Sequence, residues 1–173
     1  MEMINFKKIA TATMLGLAFA VCYADDSRPL PEPPKGFYVP AENLITGGQP
    51  SKSDFLQLKN AGVTKVINLR APAEEIDFNE QQQAEALGLE YVSLPVAGAA
   101  DITLENAEKL HALLADEQKV FLHCASGNRV GALLAIRAHA FQGQPADASL
   151  EVGRAAGLGS LEEKVKSVFE SLQ

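Results

Sequence analysis

The stretch Lys119–Phe141, KVFLHCASGNRVGALLAIRAHAF, decides the fold. Lys119–His123 is apolar enough for an interior strand, with Val120, Phe121 and Leu122 in succession. Val130–Phe141 carries apolar side chains around most of its circumference and predicts a helix buried between other elements. Between the two lies Cys124-Ala125-Ser126-Gly127-Asn128-Arg129. A turn from the carboxyl end of a buried strand to the N-terminus of a buried helix is where α/β proteins place ligands.

Outward from that turn, strands and helices alternate. Phe37–Val39 and Leu44–Thr46 predict short strands. Pro50 and Ser51 open a helix in which Ser51 and Asp54 form a capping box, Phe55, Leu58 and Ala61 share one face, and Gly62 is the stop. Val63–Leu69 is a strand, Glu74–Leu87 a Gln-rich helix ended by Gly88, and Leu89–Leu94 a strand closed by Pro95. Gln49 is read as a turn residue. After the small-residue loop Val96–Ile102, Thr103 starts a helix with Leu104, Ala107, Leu110 and Leu114 at helical spacing. Pro145 opens another helix through Ala156, and Ser160 with Glu163 predicts a capping box for the last one. This order predicts an α/β sandwich with a mostly parallel central sheet flanked by helices.

A chain of 173 residues with 47% apolar content suits one domain once a leader is removed. Its net charge of −7 argues against nonspecific binding to nucleic acid or anionic membrane, so an anionic ligand needs a local positive site. Lys7 and Lys8 precede an uncharged run to Ala24, followed by Asp25 and Asp26, which reads as a signal peptide over residues 1–24. The run is short for a membrane span, so membrane contact is expected only if the leader is uncleaved. Pro29, Pro31, Pro33 and Pro34 mark 25–36 as a linker and leave 37–173 as the folded domain. Export, in a bacterium to the periplasm, with cleavage after Ala24 rather than after Ala20, which also fits, removes Cys22 and leaves Cys124 without a disulfide partner.

That cysteine has reactive surroundings. Successive N–H groups of Ala125, Ser126, Gly127 and Asn128 form an anion nest at the helix N-terminus, and Gly127 keeps its centre free of a Cβ. The same field favours a thiolate below the free-cysteine pKa of about 8.5. Arg129 holds two oxygens of a tetrahedral oxyanion with its planar fork. The parts make a nucleophile inside an oxyanion cradle.

The His-Cys-x-x-Gly-x-Arg loop resembles the tyrosine-specific and dual-specificity cysteine phosphatases. ITGGQPS (45–51), AGVTKVINLR (61–70), GLEYVSLPV (88–96) and HCASGNRVGAL (123–133) are similar to a bacterial dual-specificity-phosphatase-like family, whose domains also occur fused to beta-lactamase-like hydrolases. The resemblance covers residues 37–170. It implies a phosphatase-type sandwich with Cys124 as nucleophile and Arg129 as phosphate clamp. Two positions depart from the phosphatase pattern. Four residues rather than five separate Cys124 from Arg129, the spacing of rhodanese-type sulfurtransferases, and Val130 stands where phosphatases carry Ser or Thr.

Cleavage of a phosphate ester also needs a proton for the leaving oxygen. Asp101 stands alone as an acid between Glu90 and Glu105 and is the candidate, with a helix cap as its alternative role. The resemblance makes His123 a support of the cysteine loop. Arg70 is read as a surface ion pair with Glu74 or Glu75. His111 and His139 have no ligand spacing, so neither metal nor other cofactor is expected. The leading reading is an exported phosphatase acting on a phosphorylated protein or small phosphoester. The alternatives are sulfur transfer from a sulfane-sulfur donor through a Cys124 persulfide, and a non-catalytic oxyanion-binding or redox module.

Overall fold

Side-chain alternation along the strands divides the interior into two cores. The computed structural model describes residues 36–116 and 118–172, so the leader and most of the linker lie outside the described residues. The sheet comprises β1 (Tyr38–Ala41), β2 (Leu44–Gly47), β3 (Lys65–Asn68), β4 (Glu90–Ser93) and β5 (Val120–His123), in the order β1-β2-β5-β3-β4. β1 runs antiparallel to β2, and the remaining neighbours are parallel. Ile45, Val66 and Phe121 point to one face, where Phe55 and Leu58 of α1 (Lys52–Asn60) and Ala84 of α2 (Glu80–Ala86) cover them. Ile67, Val120 and Leu122 point to the other face. There α3 (Leu104–Leu113), α4 (Asn128–Gln142), α5 (Ala146–Ala155) and α6 (Glu162–Glu170) close over them. With helices on both faces, the inner strands have no solvent side, which is why they read as continuous apolar runs.

The layout agrees with the α/β sandwich expected, and three local expectations are corrected. The helix assigned to Glu74–Leu87 begins only at Glu80, because the Asn79 side chain accepts the Gln82 N–H at 2.9 Å and fixes the start there. Residues 71–78 form a loop that turns towards Arg70. Ser160 does not cap the last helix: Leu161 is its N-cap, and the Ser160 hydroxyl accepts a hydrogen bond from Asn128 Nδ2 at 2.8 Å. Gln49 is more than a turn residue, since its side chain bonds Glu80 and Arg70. The capping contact at α1 does form, with the Asp54 carboxylate accepting the Ser51 N–H at 2.8 Å.

α4 is buried along most of its length, and small residues set how closely its neighbours approach. A Cβ on Gly131 would lie 2.2 Å from the Leu158 nitrogen and 2.5 Å from the Gly153 carbonyl oxygen. Glycine there lets α5 and the chain following it lie directly on the first turn of α4, behind the cysteine loop.

Candidate active site

β5 is the middle strand, and its carboxyl end is held from both sides. Leu69 N–H donates to the His123 carbonyl at 2.8 Å, and Cys124 N–H donates to the Gly47 carbonyl at 3.3 Å. Beyond Cys124 the chain turns sharply. Gln49 N–H donates to the Ala125 carbonyl at 3.2 Å, Ser126 bridges Gly48, and Gly127 takes a left-handed conformation with φ of 88°. The Gly127 N–H points back to Cys124 Sγ, 3.2 Å away. The sulfur is buried, with Cys124 only 1% exposed, while Ala125 and Ser126 are exposed. α4 starts at the next residue, so its first-turn N–H groups and the positive end of its dipole follow directly on the turn. The loop thus places backbone N–H donors and the positive end of a helix dipole beside the sulfur.

Arg129, in the first turn of α4, is braced by a residue that the sequence reading assigned to a helix. Its Nη1 donates to Glu74 Oε1 at 2.6 Å and to the Val96 carbonyl at 2.5 Å, and its Nη2 donates to Glu74 Oε2 at 2.7 Å. The Arg129 hydrogen bonds hold the Glu74 carboxyl down to about 2, against partial burial that pushes it up. Reciprocally, Glu74 raises Arg129 above the ordinary arginine range, with the neighbouring Cys124 sulfur acting in the same direction. Glu74 takes the outer edge of the guanidinium. The Nε–H and the second Nη2–H lie along another edge, which matches two oxygens of a tetrahedral anion.

Arg70 fixes this bracing loop. Its Nη2 donates to the Glu74 and Glu75 carbonyls, each at 3.0 Å, its Nη1 donates to Gln49 Oε1, and its Nε lies 3.5 Å from Glu74 Oε2. The expected pairing with Glu74 is present, but it is mostly buried and works mainly through backbone carbonyls. Beneath the loop, His123 Nε2 lies 2.6 Å from Glu80 Oε1, with both side chains buried. Glu80 Oε2 accepts from Gln49 Nε2 at 2.9 Å.

Asp101 ends a 3-10 turn, Ala99–Asp101, and its Oδ2 accepts the Ala97 N–H at 2.8 Å. It does not cap α3, because Thr103 does so through the Asn106 N–H at 3.2 Å. The loop bearing it is tied to Arg129 through Val96. Asn128 spends its side chain elsewhere: Oδ1 accepts from Gly159 N–H at 2.8 Å and Leu161 N–H at 3.4 Å. Its contribution to an anion would be its backbone N–H. Glu74, Glu80 and Gln49 are the site residues that sequence reasoning missed. Glu80 left one signal, because it sits one helical turn before the buried Ala84 and so faces the core.

A family model described as "DSP-PTPase phosphatase fused to NAD+ Kinase" matches residues 40–164. The chain belongs to that family. It is 33% identical over 99 residues to a beta-lactamase hydrolase-like protein of Xylella fastidiosa, covering 55% of this chain and 23% of that protein. A counterpart in Agrobacterium fabrum is 34% identical over 93 residues, covering 51% and 21%. The chain thus spans less than a quarter of the length of these curated relatives. Among solved structures, a putative phosphatase from Neisseria meningitidis is 26% identical, with a TM-score of 0.64 over 76% of this chain and 96% of that one. P. aeruginosa TpbA in complex with phosphotyrosine shares the fold at 19% identity and a TM-score of 0.57, covering 79% and 83%. The five-stranded, mostly parallel sheet flanked by six helices is a phosphatase-type fold.

Proposed function

We propose that the domain hydrolyses phosphate monoesters through a cysteinyl-phosphate on Cys124. The observation that carries this is the sulfur held by the Gly127 N–H beside an Arg129 whose Nε–Nη2 edge is left over by Glu74. The Cys124 thiolate attacks phosphorus, an S–P bond forms, and the ester P–O bond breaks. The loop N–H groups of Ala125, Ser126, Gly127 and Asn128, with Arg129, stabilise the equatorial oxygens as charge develops. Asp101 gives its proton to the leaving oxygen. Water then attacks phosphorus and returns a proton to Asp101, the S–P bond breaks, and the thiolate is restored.

The substrate class we propose is phosphorylated protein or a small phosphoester. The leader-like residues 1–24 support export to the periplasm. A second reading, sulfur transfer through a Cys124 persulfide, is supported by the four-residue spacing to Arg129 and by the absence of a hydroxyl at Val130.

The deciding experiment is hydrolysis of an aryl phosphate between pH 5 and 8 by wild type and Cys124→Ser. The proposal expects turnover in the wild type and none in the variant. A folded, reduced wild type without turnover would overturn it. A gain of one sulfur on Cys124 after thiosulfate would then establish the second reading. Asp101→Asn is expected to slow esters with poor leaving groups far more than those with good ones. Equal loss on both would remove Asp101 from the acid role.

A further inference from the structure

Strand parity sends two consecutive residues of the motif in opposite directions. Cys124 shares the parity of Leu122 and joins the core under α4, whereas His123 shares the parity of Phe121 and faces α2. There its ring stacks on Phe121, with centroids 5.2 Å apart and planes 5° from parallel. Its Nε2 meets Glu80, and its Nδ1 lies 3.3 Å from the Cys124 carbonyl oxygen. Glu80 is only 3% exposed, and a carboxylate so placed is costly unless its oxygens are engaged. Both are engaged, Oε1 by His123 and Oε2 by the Gln49 side chain.

These two partners are also the groups that hold the first two carbonyls of the anion loop. His123 Nδ1 faces the Cys124 carbonyl, and Gln49 N–H takes the Ala125 carbonyl at 3.2 Å. A trans peptide sets its C=O and N–H on opposite sides of the chain. Drawing the Cys124 carbonyl towards His123 therefore turns the Ala125 N–H the other way. Drawing the Ala125 carbonyl towards Gln49 does the same for Ser126 N–H. The next N–H, that of Gly127, already points at the sulfur.

We infer that Glu80 is the positioning residue of the loop: through His123 and Gln49 it turns the first two carbonyls of the anion loop outward and their amides towards the thiolate. This deepens the phosphatase reading and rests on it only in taking the ligand to be an oxyanion. Glu80→Leu removes both arms at similar volume. Glu80→Gln keeps an acceptor for Gln49 and a donor for His123 Nε2, leaving the Nδ1–H for the Cys124 carbonyl.

The test is alkylation of Cys124 in the full chain by iodoacetate and by iodoacetamide, read as the ratio of the two rates. Loosening the fold raises both rates together, and a lower thiolate fraction slows both together, whereas turning amides away from the sulfur slows the anionic reagent more than the neutral one. The ratio should fall about fivefold or more in Glu80→Leu, the scale of one lost hydrogen bond, and stay close to wild type in Glu80→Gln. Gln49→Met, which removes one arm and keeps the backbone donor, should fall in between and serves if Glu80→Leu does not fold. An unchanged ratio in folded Glu80→Leu or Gln49→Met overturns the inference. So does a wild-type thiol inert to both reagents, because no anion would then reach the loop. The predicted ratios without aryl phosphate turnover would sink the phosphatase reading alone.

Discussion

Replacing Glu74 by Gln removes one charge from the bidentate pair with Arg129 and puts an amide N–H against a guanidinium N–H. The Glu74 carboxyl sits at about 2 instead of 4.5. Taken at face value, that depression is worth about 3 kcal/mol of folded-state preference for the ionised form. The side chain is 27% exposed, so solvent screening reduces the effect to about 1–2 kcal/mol. The folded carboxyl is depressed, so its contribution is complete above the unfolded value and is lost as pH falls through about 2. Urea denaturation should find Glu74→Gln less stable by about 1–2 kcal/mol at pH 7. The gap should close between pH 4.5 and 2. On the phosphatase proposal Glu74 braces the edge of Arg129 turned away from the anion, so kcat/KM for an aryl phosphate should fall in the variant. A rise in kcat/KM would refute the reasoning, since it would mean that Glu74 occupies the anion's own place on Arg129. A stability gap independent of pH would refute the electrostatic account of the pair.

Gly131→Ala puts a methyl group 2.2 Å from the Leu158 nitrogen, where backbone rather than a flexible side chain must move. Thermal melts should show a loss of stability of about 1–3 kcal/mol or more. Asn128→Ala leaves the Gly159 and Leu161 N–H groups without their acceptor, and a loss of about 1–2 kcal/mol is expected in the same melts. Asn128→Asp keeps that acceptor and should lose less.

The parts of this structure that were legible in the sequence are those set by local periodicity and by caps. VFLH and VINL form inner strands because burial on both faces favours apolar side chains, whereas EYVS, at the sheet edge, keeps Glu90 and Ser93 exposed. Thr103 starts its helix as read, whereas the positive φ of Gly127 is seen only in the structure. The misread helix at 74–79 shows the limit. Glu74, Glu75 and Gln81–Gln83 all favour a helix by propensity, yet the chain gives up the first turn and a half because Arg70 takes the Glu74 and Glu75 carbonyls. Helical bonds would have consumed those same carbonyls, and the Arg70 contacts, together with the pairing of Glu74 to the distant Arg129, outcompete a marginal local preference.

The same competition explains why the site's second layer was harder to read than its first. Cys124, Gly127 and Arg129 are close in sequence, and the turn they form is dictated by the strand and helix around them. Glu74 and Gln49 belong to other loops and Glu80 to the first turn of α2, and only the sheet order brings these segments to the end of β5. Once β5 lies between β2 and β3, Gln49 just beyond β2 and Glu74 in the loop after β3 must flank the cysteine loop. Glu80 at the start of α2 must then meet whichever β5 residue has the parity of Phe121. Parity selects His123, so the two-residue step from Phe121 that hides the histidine from solvent also brings it to its carboxylate. Without that carboxylate, a buried histidine facing the Cys124 carbonyl would have no partner for its second nitrogen. Glu80 is therefore explained by the interior position of His123, and its chemistry by the loop that His123 supports.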